Sequence, residues 1–231
     1  MVIRKGNKNS TRNMSLKFNG KRLNQCREFK YLGVYLDEKM SFKSHIKFLC
    51  EKLSKMCGIF CKLRHCCSKD LLKVIYYALV ESHLQYCNLI WGSASPSILE
   101  PLRKLQDKII RIMNFAPRDF FNTPSLYKNL KLLNLSQLNE VSKAKFLHKY
   151  KMNKLPPSFE NFLVRNTTHR YALRSRETND FACVWGKTIY GMKKIQFDGV
   201  RLWNQIPKDI RNIDSFRDFK KKIKEFFLNR E

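Results

Sequence analysis

Apolar residues along this chain change their period at Met40. Before it, the stretches SLKFNGKRL and EFKYLGVYLD between Ser15 and Asp37 read as β, with Asn19-Gly20 as a tight-turn signal between them. In the second stretch Phe29, Tyr31, Val34 and Leu36 are strand formers, and Gly33 would let another backbone approach closely. Both runs are expected at the edge of a sheet whose remainder lies outside the chain. From Met40 on, Phe42, Ile46, Leu49, Leu53, Met56, Phe60 and Leu63 recur in steps of four and three. That is the stripe of an amphipathic helix, with Ser41 as its expected cap.

Ser68 should cap a second helix, where Leu71, Leu72, Ile75, Tyr76, Leu79, Val80, His83 and Leu84 make an apolar face wide enough for the centre of a bundle. A third helix is predicted from about Ser97 to Met113 on Ile98, Leu102, Leu105, Ile109 and Ile112. Thr123-Pro124 reads as a cap followed by a first-turn proline, and a fifth helix should run from Ser136 to about Tyr150. Neither Pro156 nor Pro157 can continue a helix, so the pair is the expected domain boundary. Beyond it, FACVW and TIYGMKKIQF look like short strands. A short helix follows near Val200 to Asn204, and then a final helix, capped by Asp214 or Ser215, bears Phe216, Phe219, Ile223, Phe226 and Phe227. The expected fold class is mainly α: an N-terminal β-hairpin segment (1–38), a helical bundle (39–155) and a small basic α+β C-terminal segment (158–231). No internal repeat or low-complexity tract interrupts it.

Charge narrows the function. Lys and Arg total 46 against 19 Asp and Glu, a net charge of +27 over 231 residues. So much like charge repels itself unless a polyanion neutralises it. Nucleic acid is the usual polyanion, and an anionic membrane surface is the competitor. No apolar run approaches the roughly 20 residues of a membrane-crossing helix, and MVIRKGNKNSTRN does not read as a secretory signal. A hydrophobic content of 43% is too high for a disordered chain. Cys50, Cys57 and Cys61 fall within one helical pattern, which suits small buried side chains in a reducing compartment. The expected setting is intracellular, in nucleus and cytoplasm.

Candidate chemistry is sparse. Cys57, Cys61, His65, Cys66 and Cys67 crowd together, with His83 and Cys87 further on, but no CxxC turn or Gly-rich knuckle accompanies them. Core packing and a helix end explain them better than zinc. There is no nucleophile elbow, no phosphate-cradling Gly-rich loop and no Asp-Asp turn. Basic stripes remain. Lys104, Lys108 and Arg111 lie on one face of the third helix, Arg217, Lys221 and Lys224 repeat the spacing on the last, and Lys43 and Lys47 sit near the start of the first. One such stripe is more often a solubilising face, but with this total charge some of them should meet phosphates.

Three stretches then carry a resemblance. REFKYLGVYLDEKMSFKSHI resembles the segment after the palm active site of non-LTR (LINE-type) retrotransposon reverse transcriptases. YYALVESHLQYCNLIWGSASPSILEPLRKLQDKIIRIM, with its ALV-x2-HL-x-YC-x3-WG run, resembles their thumb. FDGVRLWNQIPKDIRNIDSFRDFKKKIKEFF resembles their closing segment, G-x2-LWN-x-[IL]P followed by a basic helix. KYLG alone would be weak; the three in order are specific, and the jockey-like or chicken-repeat-like branches look most similar.

The resemblance implies a C-terminal part of an RNA-directed DNA polymerase. Phe29, Lys30, Tyr31, Leu32 and Gly33 would form a primer grip at a palm edge. The helices would form a thumb clamping an RNA or DNA primer–template duplex by shape and phosphate contacts. Trp185 and Trp203 could stack bases, with core packing the better fit for Trp203, since Leu202 and Ile206 flank it. The aromatic-Ala-Asp-Asp turn of the family is absent, as is the Cys-Cys-His-Cys knuckle of some relatives. No catalytic or metal-binding residue and no cofactor is therefore expected in this chain; magnesium would belong to the missing palm. Without metal-binding carboxylates, the isolated chain should not polymerise DNA. Two alternatives stay open from sequence: a freestanding basic nucleic-acid-binding protein derived from the element, and a decayed open reading frame without selected function. Oligomeric state is not legible.

Overall fold

Each of the two β runs folds back on itself instead of pairing with the other. In the computed structural model, which describes residues 17–22, 24, 26–117, 122–164, 181–183 and 194–230, β1 (Lys17–Phe18) pairs antiparallel with β2 (Lys21–Arg22). Likewise β3 (Glu28–Tyr31) pairs with β4 (Val34–Asp37), in register from Glu28↔Asp37 to Tyr31↔Val34. Both turns hold two consecutive positive-φ residues, Asn19 and Gly20 in the first, Leu32 (φ 45°) and Gly33 (φ 81°) in the second. That is the two-residue turn whose twist matches the flanking strands. The Asn-Gly signal thus closes a hairpin within the first run, and Leu-Gly does the same within the second.

Helix α1 (Lys43–Leu63) buries Ile46, Leu49, Leu53, Cys57 and Phe60 as its period requires. Its start corrects the expectation of a Ser41 cap. The N-cap residue is Phe42, in the left-handed region at φ 60° and without a side-chain cap. Asp37, at the end of β4, does the capping instead. Its carboxylate accepts from the backbone N–H groups of Lys39, Ser41 and Phe42 at 3.0, 3.0 and 2.8 Å, and from the Ser41 hydroxyl at 3.0 Å.

The next helical rod joins α2 (Lys69–Tyr76), one π-helical turn (Tyr77–Glu81) and α3 (Ser82–Gln85). Ser68 caps it, accepting from Leu71 N–H at 3.3 Å. Leu72, Tyr76, Val80 and Leu84 are buried, whereas Leu71 and Val74 face solvent, so this rod is not the centre of the bundle. After α4 (Asn88–Trp91), α5 (Pro96–Met113) packs along α1, and α6 (Thr123–Leu130) starts one residue earlier than expected, with Asn122 as cap.

The central helix is α7 (Leu135–Lys151), opened by a capping box in which Asn134 and Gln137 bond reciprocally at 2.9 and 3.0 Å. Its apolar period is weak because polar residues occupy buried positions and find distant partners. Asn139 donates to Asn88, Lys143 pairs with Asp198, and a ring nitrogen of His148 lies 2.6 Å from the Ile213 carbonyl. Core continues across Pro156-Pro157. Past them, Ile195–Gly199 forms a π-helical turn rather than a strand end and leads into α8 (Val200–Gln205), followed by α9 (Lys208–Arg211) and α10 (Phe216–Asn229). Ser215 caps α10 through Asp218 N–H at 3.3 Å. Trp203 is fully buried, 5.9 Å from the Phe219 ring, and the His148 ring stacks on Phe219 at 4.0 Å. Most of the expected FACVW and TIYGMKKIQF strands, with Trp185, lies outside the described residues. Among the described residues no helix is long and apolar enough to cross a membrane.

Candidate nucleic-acid interface

The β3–β4 hairpin has two unlike faces because side chains alternate along a strand. Glu28, Lys30, Tyr35 and Asp37 share the face turned to α1. There Ser44 donates to Glu28 at 2.6 Å, the Tyr35 ring meets Phe48 at 5.3 Å, and the Lys30 ammonium sits 5.3 and 5.4 Å from those two rings. Lys52 covers Phe48 from α1 at 4.9 Å. Burial lowers the proton affinity of His83, and the Lys52 charge adds to the effect. Two aromatic rings thus hold two lysines beside the hairpin, on a face whose acids Glu28 and Asp37 are engaged by Ser44 and by the start of α1, a mixture of stacking and positive charge that nucleic acid meets well.

On the other face Val34 is buried, yet Phe29 and Tyr31 are 53% and 57% exposed and Leu32 at the tip is 71% exposed. An exposed apolar tip would ordinarily fray, but this one is held. The Tyr86 hydroxyl donates to the Leu32 carbonyl at 2.6 Å. A Cβ at Gly33 would lie 3.4 Å from the Tyr86 ring. The close approach expected at Gly33 is therefore made by a side chain, not by another backbone. Tyr86 is itself positioned from the bundle, since the buried Trp91 indole donates to its carbonyl at 2.7 Å. The KYLG and HLQYC-x3-WG motifs, far apart in sequence, meet at this point.

The basic stripes differ in their surroundings. On α5, Lys104 and Lys108 are exposed and Arg111 is half-buried, away from the buried Leu102, Gln106, Ile109 and Ile110. Arg103 is engaged by Glu100 and Asp107 at 2.7 and 2.8 Å, while Lys104 reaches Glu100 only at 3.7 Å. Burial pushes the Cys57 thiol up, and the charge of Lys108 pulls it back. Lys43 and Lys47 are exposed in the first turns of α1, where the helix dipole disfavours cations and no acid stands in the first turn. Helix stability does not account for that placement. On α10, Arg217 and Lys221 are exposed, but Lys224 is half-buried and donates to the Tyr77 hydroxyl at 3.0 Å.

The cysteines do not converge. Cys57 is buried, Cys61 and Cys66 are exposed, and among the described residues no three His, Cys, Asp or Glu side chains come together as a metal site. What sequence reasoning missed is Tyr86, Phe48, Tyr35 and Lys52. Tyr86, in the HLQYC run, and Tyr35, in the KYLGVYLD run, lay within conspicuous stretches, whereas Phe48 and Lys52 carried no signal.

Over 130 residues the chain is 32% identical to the RNA-directed DNA polymerase from mobile element jockey of Drosophila funebris, covering 54% of the chain and 14% of that protein. It is 26% identical over 164 residues to the jockey enzyme of Drosophila melanogaster, covering 68% of the chain and 18% of the relative. No family model and no solved structure matches it. The chain therefore spans less than a fifth of these curated relatives, and it is similar in sequence to part of the RNA-directed DNA polymerase from mobile element jockey.

Proposed function

We propose that this chain grips a nucleic-acid duplex as part of a retrotransposon RNA-directed DNA polymerase, with the β3–β4 hairpin as primer grip and the helices as thumb. The observation that carries the reading is the hairpin tip, exposed to solvent and yet latched to the bundle by Tyr86. A tip that only packed would be covered, and one without function would not need holding. Phe29, Tyr31 and Leu32 offer apolar support to a primer end, and Lys30 stands on the adjoining face. RNA–DNA or DNA duplex is the expected partner, held through phosphates and shape, with little dependence on base sequence.

Binding of the chain to duplex should weaken steeply with salt, log affinity falling by about 0.9 per phosphate contacted on B-form DNA. Absence of binding at low salt would sink the reading. Tyr86→Phe should weaken binding to a duplex with a recessed 3′ end more than to a blunt duplex. The effect should be severalfold, since one hydrogen bond is worth about 0.5–1.5 kcal/mol. Equal loss on both substrates would detach the hairpin from the primer-end role.

A further inference from the structure

The seam between α7 and α10 gathers lysines from both sides. Lys145 and Lys149 stand four residues apart on α7, and Lys220 and Lys224 four apart on α10, so each pair shares a helix face. The two helices pack together, and one ring ties the pairs: the Phe216 centroid lies 5.0 Å from the Lys149 ammonium and 5.7 Å from that of Lys220. Lys224 is fixed on Tyr77, 3.0 Å from its hydroxyl and 4.9 Å above its ring. Among the described residues none of the four makes an ion pair.

We propose that this seam is a phosphate-binding site for nucleic-acid backbone, in which Lys145, Lys149, Lys220 and Lys224 act together. The inference rests on the nucleic-acid reading above and adds to it a second surface, on helices other than α1 and α5. Its physical basis is the gathering of four lysines on two packed helices around the Phe216 and Tyr77 rings, which leaves the half-buried Lys145 charged at a cost. Burial lowers the proton affinity of Lys145, the charges of Lys220, Lys224 and Lys149 push the same way, and only Glu81 opposes them. That carboxylate belongs to the π-helical turn, which directs both Tyr77 and Glu81 toward α10. Gln85 donates to one of its oxygens at 2.5 Å, and the other is buried without a partner. This one buried acid is felt by Lys145 and Lys224, and a single carboxylate against four lysines leaves the cluster positive. A seam that served packing alone would lose nothing by having neutral side chains at Lys149 and Lys220. Backbone phosphates would remove the repulsion, and aromatic supports keep the ammoniums in place between binding events. π-Helical turns occur often at functional sites for this reason, since they re-aim side chains that a regular helix would turn away.

The test uses the full chain and a doubly substituted Lys149→Gln/Lys220→Gln form, with blunt DNA duplex as probe. The substituted chain should bind more weakly, and its salt dependence should be shallower by about two units of slope, one for each phosphate no longer neutralised. Its melting temperature without nucleic acid should equal or exceed the parent's, because repulsion has been relieved. The charge-preserving Lys149→Arg/Lys220→Arg form should bind like the parent. Parent-like affinity and slope in the glutamine form overturn the proposal, as does weaker binding with a lowered melting temperature, which would mark a packing role. Inorganic phosphate, matched to the duplex in phosphate concentration, should raise the melting temperature much less than duplex does. An equal rise assigns a small-anion site and overturns the backbone reading. If the parent itself fails to bind duplex, the nucleic-acid function fails; if the parent binds and the glutamine form is indistinguishable, only the seam does.

Discussion

Asp37 joins strand to helix with one carboxylate that accepts four hydrogen bonds from Lys39, Ser41 and Phe42. Burial alone would raise the proton affinity of that group, but the bonds from Ser41, Phe42 and Lys39 outweigh it and hold the carboxyl below its ordinary range. Replacing it with Ala leaves only the Ser41 hydroxyl, 3.4 Å from the Lys43 N–H, at the start of α1 beside a left-handed Phe42. Asp37→Ala should therefore cost about 1–2 kcal/mol, read as a lower midpoint in urea denaturation, with Asp37→Asn losing less. A midpoint unchanged in the alanine form would mean that water replaces the carboxylate without loss. Sequence reading chose Ser41 because cap rules look one residue ahead of the helix, and Asp37 stands five residues before Phe42. Tyr86 escaped for a similar reason. Its partner, the Leu32 carbonyl, is 54 residues away and has no residue-type signature. A conspicuous motif marked that tyrosine, but its hydrogen bond was not legible.

Helices were legible where their apolar stripe faces one neighbour. The starts and ends of α1, α5 and α10 follow from their periods, and Ser68 and Ser215 cap as their positions suggest. Helix α7 was placed correctly but its centrality was not, because Asn139, Lys143 and His148 look like surface residues until Asn88, Asp198 and Ile213 supply their partners. The basic stripes show the same limit. Spacing put Lys104, Lys108 and Arg111 on one face of α5, and that face is open at Lys104 and Lys108; spacing could not show that Lys224 of α10 is turned onto Tyr77. Replacing Lys104, Lys108 and Arg111 by Ala should weaken duplex binding and flatten the salt slope by about one unit for each phosphate that loses its cation. Alanine suits the exposed positions of Lys104 and Lys108, and because Arg111 is half-buried, circular dichroism of the triple form should be compared with that of the parent. Parent-like binding of this triple form would move the phosphate-binding role off α5. Lys224→Ala is a poor substitute for such a test, since it also removes the hydrogen bond to Tyr77.

At the scale of the whole molecule, buried titratable groups set how the fold answers to acid. His45, His148 and His83 lose stability as pH falls, while Glu81 and Glu140, whose proton affinity burial raises, oppose them. His45 is packed 5.8 Å from the Trp91 ring and 6.4 Å from Phe48, and neither ring nitrogen has a partner. Burial therefore holds its pKa below the ordinary value. His148 is lowered first by burial, with the Ile213 carbonyl pulling the other way. In both cases the unfolded chain binds a proton more readily than the folded one. Stability from these sites is complete above the unfolded value of about 6.5 and declines as pH falls below it. The capped Asp37 does not confuse this window, because its carboxyl matters only below about pH 3.9. Acid also adds positive charge to a chain already at +27, so self-repulsion acts in the same direction. Duplex separates the two contributions: it neutralises surface charge but leaves the buried imidazoles unsolvated. Thermal melts from about pH 7.5 to about pH 5 should show a falling midpoint. Duplex should reduce the fall without abolishing it, and His45→Leu should flatten what persists. A midpoint that stays level across this range, or a His45→Leu form as acid-sensitive as the parent, would show that the buried ring does not control the response. The pattern expected instead is a positively charged fold that is least stable in acid without nucleic acid and that regains part of its stability once phosphates cover its surface.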